Sequence, residues 1–157
     1  MLYIHAMISS IKIRPISAEE THLVRHPMLR KNRPIEDCVF EGDDLETTIH
    51  LGAFYELMLV GVASAFLQQH TQLKSKSSYQ IRGVATVEQY HRFGIGKALM
   101  KEIEEQLTKK NAKLIWLNAR INAVPFYKAL HYTAHGEGFN IAQIGMHFCY
   151  FKRLNDE

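Results

Sequence analysis

Cysteine is scarce in this chain. There are two in 157 residues, Cys38 and Cys149, far apart and in no CxxC pair. That excludes a disulfide framework and makes a reduced, cytoplasmic setting the expectation. Long apolar runs are lacking too. The longest, residues 57–67, is interrupted by Gly61 and Ser64 and falls far short of the ~20 residues a membrane-spanning helix needs. No basic segment precedes an apolar run in MLYIHAMISSIKIRP, so no signal peptide is expected. Neither sign of charge dominates: 19 Lys and Arg stand against 16 Asp and Glu, a formal net charge of +3. So mild a basic balance permits an anionic ligand but is no nucleic-acid signature. A nucleic-acid surface would also want aromatics interleaved with a Lys/Arg stripe, and none is found. Neither a nucleic acid nor a membrane is therefore expected as a partner. Nine histidines are present, but no HExxH and no Cys/His cluster; His131 and His135 are four apart, with His135 past the end of a helix, so no metal is expected. The nucleophile elbow GxSxG of a serine hydrolase is missing as well.

What remains is ample core material. Hydrophobic residues make up 46% of the chain, too much for intrinsic disorder and enough for one domain of ordinary size. Residues 1–10 read as a loose leader and residues 11–157 as a single domain. Ile11 and Ile13 alternate with Lys12 and Arg14, the pattern of a short strand ended by Pro15. Ser17 and Glu20 form a capping-box pair, which starts a helix at Ala18. Its apolar face would use Leu23, Val24 and Met28, and Pro27 would kink or restart it. Residues 31–47 read as a loop with one short helical turn. Strands follow at 48–55 and 58–68, close enough for a hairpin, and at 78–87.

The period then changes. Ile95, Ala98, Leu99, Ile103 and Leu107 lie at helical spacing, with charges opposite. Lys109, Lys110 and Asn111 suit the end of that helix. Residues 112–119 form a buried-looking strand, and Cys149, in a later strand-like segment, reads as core. Residues 122–130 form a short helix with Pro125 in its first turn, and strands close the chain around 132–138 and 144–152. The order β-α-loop-β-β-β-α-β-α-β-β predicts an α/β (α+β) fold with a mixed sheet and helices on both faces.

The sharpest chemical feature is ATVEQYHRFGIGKALM, where a strand ends near Val87 and two glycines open the long helix. The first amides of a helix have no internal partners, and its dipole favours negative charge there. Gly94 and Gly96 let a ligand approach the backbone, while Arg92 and Lys97 add positive charge, so the junction suits a pyrophosphate. A plain structural turn stands beside that reading. Two other glycine motifs fail: the dinucleotide fingerprint needs glycine at position 99, which is Leu99, and the Walker loop needs glycine at 91 and Ser or Thr at 98, which are His91 and Ala98. A second feature is LNARINAVPFYKAL, with Asn118 at a strand end, Asn122 at a helix start, and Phe126 and Tyr127 one turn in. Tyr127 is either a functional phenol or a packed aromatic.

Together, HRFGIGKAL and NAxxFYKAL resemble the acyl-coenzyme-A core of the GNAT N-acetyltransferases. That family binds the coenzyme A pyrophosphate with Q/R-x-x-G-x-G/A. Here the segment is His91, Arg92, Phe93, Gly94, Ile95, Gly96: both glycines match and His91 departs. The later hallmark usually ends in Gly-Phe, where this chain has His131 and Tyr132. The likeness covers roughly residues 11–155. The N-terminal half, including RHPMLRKNRPIEDCVFEGDD, is similar to a bacterial subgroup of unknown substrate.

The resemblance implies a single-domain fold whose mixed, mostly antiparallel sheet of six to seven strands splays at the cofactor site, flanked by about four helices. It implies acetyl-CoA as cosubstrate, with no metal, and transfer of the acetyl group to a primary amine of a small molecule by direct attack in a ternary complex. A non-catalytic acyl-CoA-binding or regulatory module is the alternative. Residues 91–97, including Lys97, would hold the pyrophosphate. The pantetheine arm would pair along Val84, Ala85, Thr86 and Val87, and the Ala85 amide would polarise the thioester carbonyl. Asn118, Asn122 and Phe126 would contact the coenzyme, and Tyr127 would protonate the departing thiolate as general acid. For the base, Glu41, His50, Glu137 and His147 or a water chain are open. Glu137 and His147 serve equally as substrate contacts. The acidic run Glu41, Asp43, Asp44, Glu46 either attracts a cationic amine or is a solvated loop. A homodimer is the form common among similar enzymes.

Overall fold

The computed structural model describes residues 2–155. Among them are four α-helices and seven strands in the order α1 (Leu2–Ser9), β1 (Ile11–Pro15), α2 (Ala18–Leu29), β2 (Ile49–Tyr55), β3 (Met58–Leu67), β4 (Ser78–Thr86), α3 (Ile95–Lys109), β5 (Leu114–Arg120), α4 (Val124–Ala129), β6 (Thr133–Ile141) and β7 (Gly145–Arg153). The strands form one mixed sheet in the order β1-β2-β3-β4-β5-β7-β6. The fold class expected from the sequence is therefore observed. Among the described residues no helix is long and apolar enough to cross a membrane. The expected leader is helical over Leu2–Ser9, not loose. Met1, where the leader reading begins, and residues 156–157, where the domain reading ends, lie outside the described residues.

The chain gathers into two compact units. One takes the residues up to Phe66 together with Gly83–Glu105. Here the Ser17–Glu20 capping box starts α2 as expected, the Ser17 hydroxyl accepting from the Glu20 amide and the Glu20 carboxylate from the Ser17 amide. The helix runs on through Pro27 to Leu29. Its inward face differs from expectation. Leu23 is exposed, while Thr21, Val24 and Arg25 are buried. The cap sets the helix phase, and Arg25 is accommodated because its charge is paired. β1 pairs antiparallel with β2, and β2 and β3 form the expected hairpin. Its turn begins at Glu56, whose φ of 53° is left-handed. Val24, Val62 and Ala85 make a core with Ile16, Met28, Leu29, Leu59 and Val87 around it. Gly61 lets α3 settle on β3: a Cβ there would lie 2.7 Å from Ile95 Cγ2 and 3.2 Å from Leu99 Cδ1.

The other unit takes Leu67–Arg82 and the chain from Gln106 onward. In it β4 runs parallel to β5 from Ser78↔Leu114 to Ile81↔Leu117. β5 pairs antiparallel with β7, and β7 with β6. The core is Leu73, Leu114, Trp116 and Cys149, with Phe151 against it, so Cys149 is core material as expected. Both cysteines are free thiols. Asn122 does not open the helix. It sits in a 3₁₀ turn, Ile121–Ala123, and α4 begins at Val124, with Pro125 where its missing N–H costs nothing.

Candidate active site

In the first unit the interest lies where β4 gives way to α3. Gly83 is left-handed (φ 68°), and a Cβ there would meet Phe40 Cε2 at 3.0 Å and Arg25 Nε at 3.1 Å. Beyond it come Val84, the buried Ala85, Thr86 and Val87, whose amide donates to the Val60 carbonyl at 2.8 Å. A short 3₁₀ turn, Glu88–Tyr90, follows. The His91 Nε2 lies 2.7 Å from the Thr86 carbonyl oxygen, so the imidazole donates back to the strand and closes the turn. That gives a use to the position where the family motif has Gln or Arg.

Arg92 and Gly94 are both left-handed, at φ 68° and 76°. A side chain at Gly94 would meet nothing within 4 Å. Space alone therefore does not call for glycine; the backbone conformation and access to it do. The first bond of the α3 ladder is Ala98 N–H to the Gly94 carbonyl, at 3.0 Å. The amides of Ile95, Gly96 and Lys97 precede it and point out of the helix start. Arg92 and Lys97 are exposed beside them, and Phe93 lies against Tyr90, with ring centroids 6.5 Å apart. Donors, positive charge and an open approach fit a bound pyrophosphate.

In the second unit α4 holds the aromatic pair. Phe126 and Tyr127 meet edge to face, with centroids 4.9 Å apart. Tyr127 is nearly fully buried, and burial pushes its phenol pKa far above the ordinary value of 10.0. Its proton is thus firmly held. A helix end fixes its place. His131 is left-handed (φ 68°), with its amide donating to the Lys128 carbonyl at 3.0 Å and the Tyr132 amide to the Tyr127 carbonyl at 3.1 Å. This is a Schellman closure, with the Tyr132 ring 5.9 Å from that of Tyr127. His131 and Tyr132 so adopt the conformation a Gly-Phe pair would, with histidine in the strained position. Lys152 Nζ adds a 3.0 Å bond to the Leu130 carbonyl.

This unit also contains a cavity of about 520 Å³, lined by Gln80, Trp116, Asn118, His70, His135 and Glu137 among others. Two of the expected site residues, Asn118 and Glu137, share it. His147 is not among its lining residues. It is buried, its Nδ1 is 2.8 Å from the Gly145 carbonyl, and its ring stacks on Phe139. His50 belongs to a buried network in the first unit. Its Nδ1 is 2.6 Å from Ser64 Oγ and its Nε2 2.9 Å from the Asp43 carbonyl, so both ring nitrogens are engaged. The acidic run divides. Glu41, Asp44 and Glu46 are exposed, whereas Asp43 is buried against Arg25. Among the described residues no group of three or more His, Cys, Asp or Glu could hold a metal. His70 and His135 were not singled out as site residues from the sequence. They lie in a polar connector and past a helix end, and no spacing links them.

The model of the acetyltransferase (GNAT) family matches residues 13–132. The chain is similar to YitI of Bacillus subtilis (strain 168), an uncharacterized N-acetyltransferase, with 35% identity over 144 residues, 92% of this chain and 97% of that protein. Two solved structures share the fold. An aminoglycoside 6'-N-acetyltransferase complexed with coenzyme A superposes with a TM-score of 0.73 at 12% identity, covering 93% of this chain and 98% of that one. Ard1 of Thermoplasma volcanium gives a TM-score of 0.74 at 15% identity, covering 94% and 99%.

Proposed function

The chain belongs to the acetyltransferase (GNAT) family, and from that premise we propose that it moves an acetyl group from acetyl-CoA to the primary amine of a small molecule. The observation that carries the reading is the turn from His91 to Lys97. Two left-handed residues, a helix start with three outward amides and the exposed cations Arg92 and Lys97 make a cradle for a pyrophosphate. Val84, Ala85, Thr86 and Val87 offer strand backbone to the pantetheine arm, and an amide of this stretch turned away from β3 is the donor proposed for the thioester carbonyl. One such donor lowers a barrier by ~3 kcal/mol. Asn118, Asn122 and Phe126 are further proposed contacts of the coenzyme.

The reaction needs no covalent enzyme intermediate. A neutral amine attacks the carbonyl carbon, the C–N bond forms and the C–S bond breaks. Tyr127 gives its proton to the leaving thiolate. Burial keeps the phenol protonated and so able to donate, and the same burial makes it a weak acid that gives up its proton only to the developing thiolate.

Thermal unfolding with acetyl-CoA, coenzyme A, ATP and NAD, each titrated separately, tests the reading. A ligand at 100 times its dissociation constant stabilises by ~2.7 kcal/mol. The expected outcome is a rise in Tm with the two coenzyme A compounds and none with ATP or NAD at equal concentration. No shift with either coenzyme A compound at millimolar concentration overturns the reading and leaves the glycines a structural turn.

A further inference from the structure

We propose that the cavity of the second unit is the acceptor pocket, that His135 is the base which takes the ammonium proton, and that the amine it receives carries neutral hydrogen-bonding groups and no carboxylate. The proposal rests on the acetyl-transfer reading above.

A bulge builds the pocket's charged edge. His135 pairs with Cys149, and the next pair along the strands is Phe139 with His147. Three residues of β6 thus oppose one of β7, and Gly136, Glu137 and Gly138 arch out. Gly136 is left-handed (φ 72°), and a Cβ at Gly138 would lie 2.6 Å from Phe148 Cε1. Two glycines are what allow the arch, and Glu137 stands between them.

The opposite wall is a tied-down loop. The Trp116 indole N–H donates to the Gln68 carbonyl at 2.9 Å, and the Ser78 hydroxyl reaches the same oxygen at 3.0 Å. His70 accepts at Nδ1 from the amides of Gln72 and Leu73, at 3.1 and 3.0 Å. With Nδ1 so occupied, the proton of the neutral ring sits on Nε2, which faces Cys149 Sγ at 3.6 Å. His70 therefore has no lone pair to offer and cannot activate Cys149. It is a positioning residue. Burial lowers its pKa and raises that of Cys149, so both are neutral here.

His135 is in the complementary state. Its Nε2 lies 3.0 Å from Gln72 Oε1 and donates to it, which leaves the Nδ1 lone pair. The His70 ring stands edge-on at 5.5 Å, Phe151 at 6.3 Å, Cys149 opposite in register, and Glu137 two residues on. Gln72 joins the two histidines, donating from its backbone to one and accepting at its side chain from the other.

The lining sets the class of amine. Among the described residues that form it, Glu137 is the one carboxylate and no lysine or arginine appears. Glu137 matches an ammonium. Gln80 and Asn118 match hydroxyl or amide groups. A carboxylate on the ligand would find no cation and would face Glu137. The proton balance is simple. One ammonium proton passes to His135 Nδ1 and on to solvent; the second leaves as the C–N bond completes and balances the one that departs with the thiol.

The test measures thiol release from acetyl-CoA with glucosamine and leucinamide, and with leucine as the carboxylate-bearing match of leucinamide. We expect leucinamide and glucosamine to be acetylated and leucine to be at least 10-fold poorer in kcat/KM. His135→Gln is expected to lower kcat/KM for the better amine about 100-fold at neutral pH, with the loss shrinking as pH rises toward the amine's own pKa. Its acetyl-CoA-induced rise in Tm should be retained, which shows that the variant is folded. Glu137→Gln should raise the amine KM several-fold with kcat little changed. Wild-type acetylation together with an unchanged rate and pH profile in His135→Gln overturns the assignment of the base. A preference for leucine overturns the assignment of the pocket. Failure of the wild-type chain to bind acetyl-CoA overturns the acetyl-transfer reading itself, and the acceptor assignment with it.

Discussion

Two polar clusters in this molecule are built around histidine, and they have opposite characters. In the first unit Arg25, Asp43, His50 and Ser64 are all buried. Arg25 donates to the Asp43 carboxylate at 2.7 and 3.1 Å, to the Cys38 carbonyl at 2.9 Å and to Ser64 Oγ at 3.0 Å. Its guanidinium lies 3.9 Å from the centroid of the Phe40 ring. The Phe40 amide closes on Asp43 at 2.8 Å. His50, held at both nitrogens, has nothing left to give. In the second unit His70 and His135 share Gln72 and face a cavity, and one of them keeps a free lone pair. The difference teaches how a histidine is committed. Saturation of both nitrogens in a buried site makes it structural, whereas a single donated bond beside open space leaves a nitrogen lone pair available.

The contrast can be broken most severely at Asp43. Asp43→Ala leaves Arg25 charged, buried and short of its main partner, and should cost about 3–5 kcal/mol of stability. Denaturant unfolding reads this directly, and a loss under ~1 kcal/mol would mean that water or rearrangement rescues the arginine. A smaller effect is expected at His70. Burial, then the nearby His135, lowers its pKa below 6.5. The unfolded chain therefore takes up the proton first. Stability present above about pH 6.5 is lost as pH falls through the folded value. His70→Asn keeps a side-chain acceptor for the loop and removes the titration, so its Tm should fall less on acidification than that of the wild-type chain. The smallest effect belongs to His135→Gln, within about 0.5 kcal/mol. A large destabilisation there would erase the contrast by making both clusters structural.

Much of the fold was legible beforehand because it depends on local rules. The capping box at Ser17 and Glu20 set the start of α2, and helical spacing from Ile95 to Leu107 marked α3. Strand alternation and the short gap at residues 56–57 predicted the hairpin. What local rules missed has a shared cause. Leu23 is apolar and the pattern turns it inward, yet Arg25 takes that face because Asp43, 18 residues on, neutralises it. Residues 2–9 form a helix where the pattern showed nothing amphipathic. Asn122 precedes the helix start at Val124 because the backbone first passes through a 3₁₀ turn. His131 occupies a left-handed position usually given to glycine, and the Tyr132 packing behind it offsets the strain.

The site divides along the same line. The glycine turn at residues 91–97 and the short helix that carries Tyr127 were readable from sequence as local structure, because a helix start and a helix-borne aromatic rest on short, contiguous motifs. The roles of the histidines were not. His50 and His135 are each one imidazole in a polar or alternating stretch, and nothing in either neighbourhood distinguishes them. Hydrogen-bond partners 7 and 14 residues from His50, and 63 residues from His135, decide which ring is saturated and which keeps a lone pair. The sequence alone determined most of the elements, the resemblance to the family and the glycine turn that opens α3, since these rest on interactions within a few residues. Only tertiary structure decided which charged and titratable groups are buried in pairs and which face a cavity, because that depends on chain segments brought together by folding.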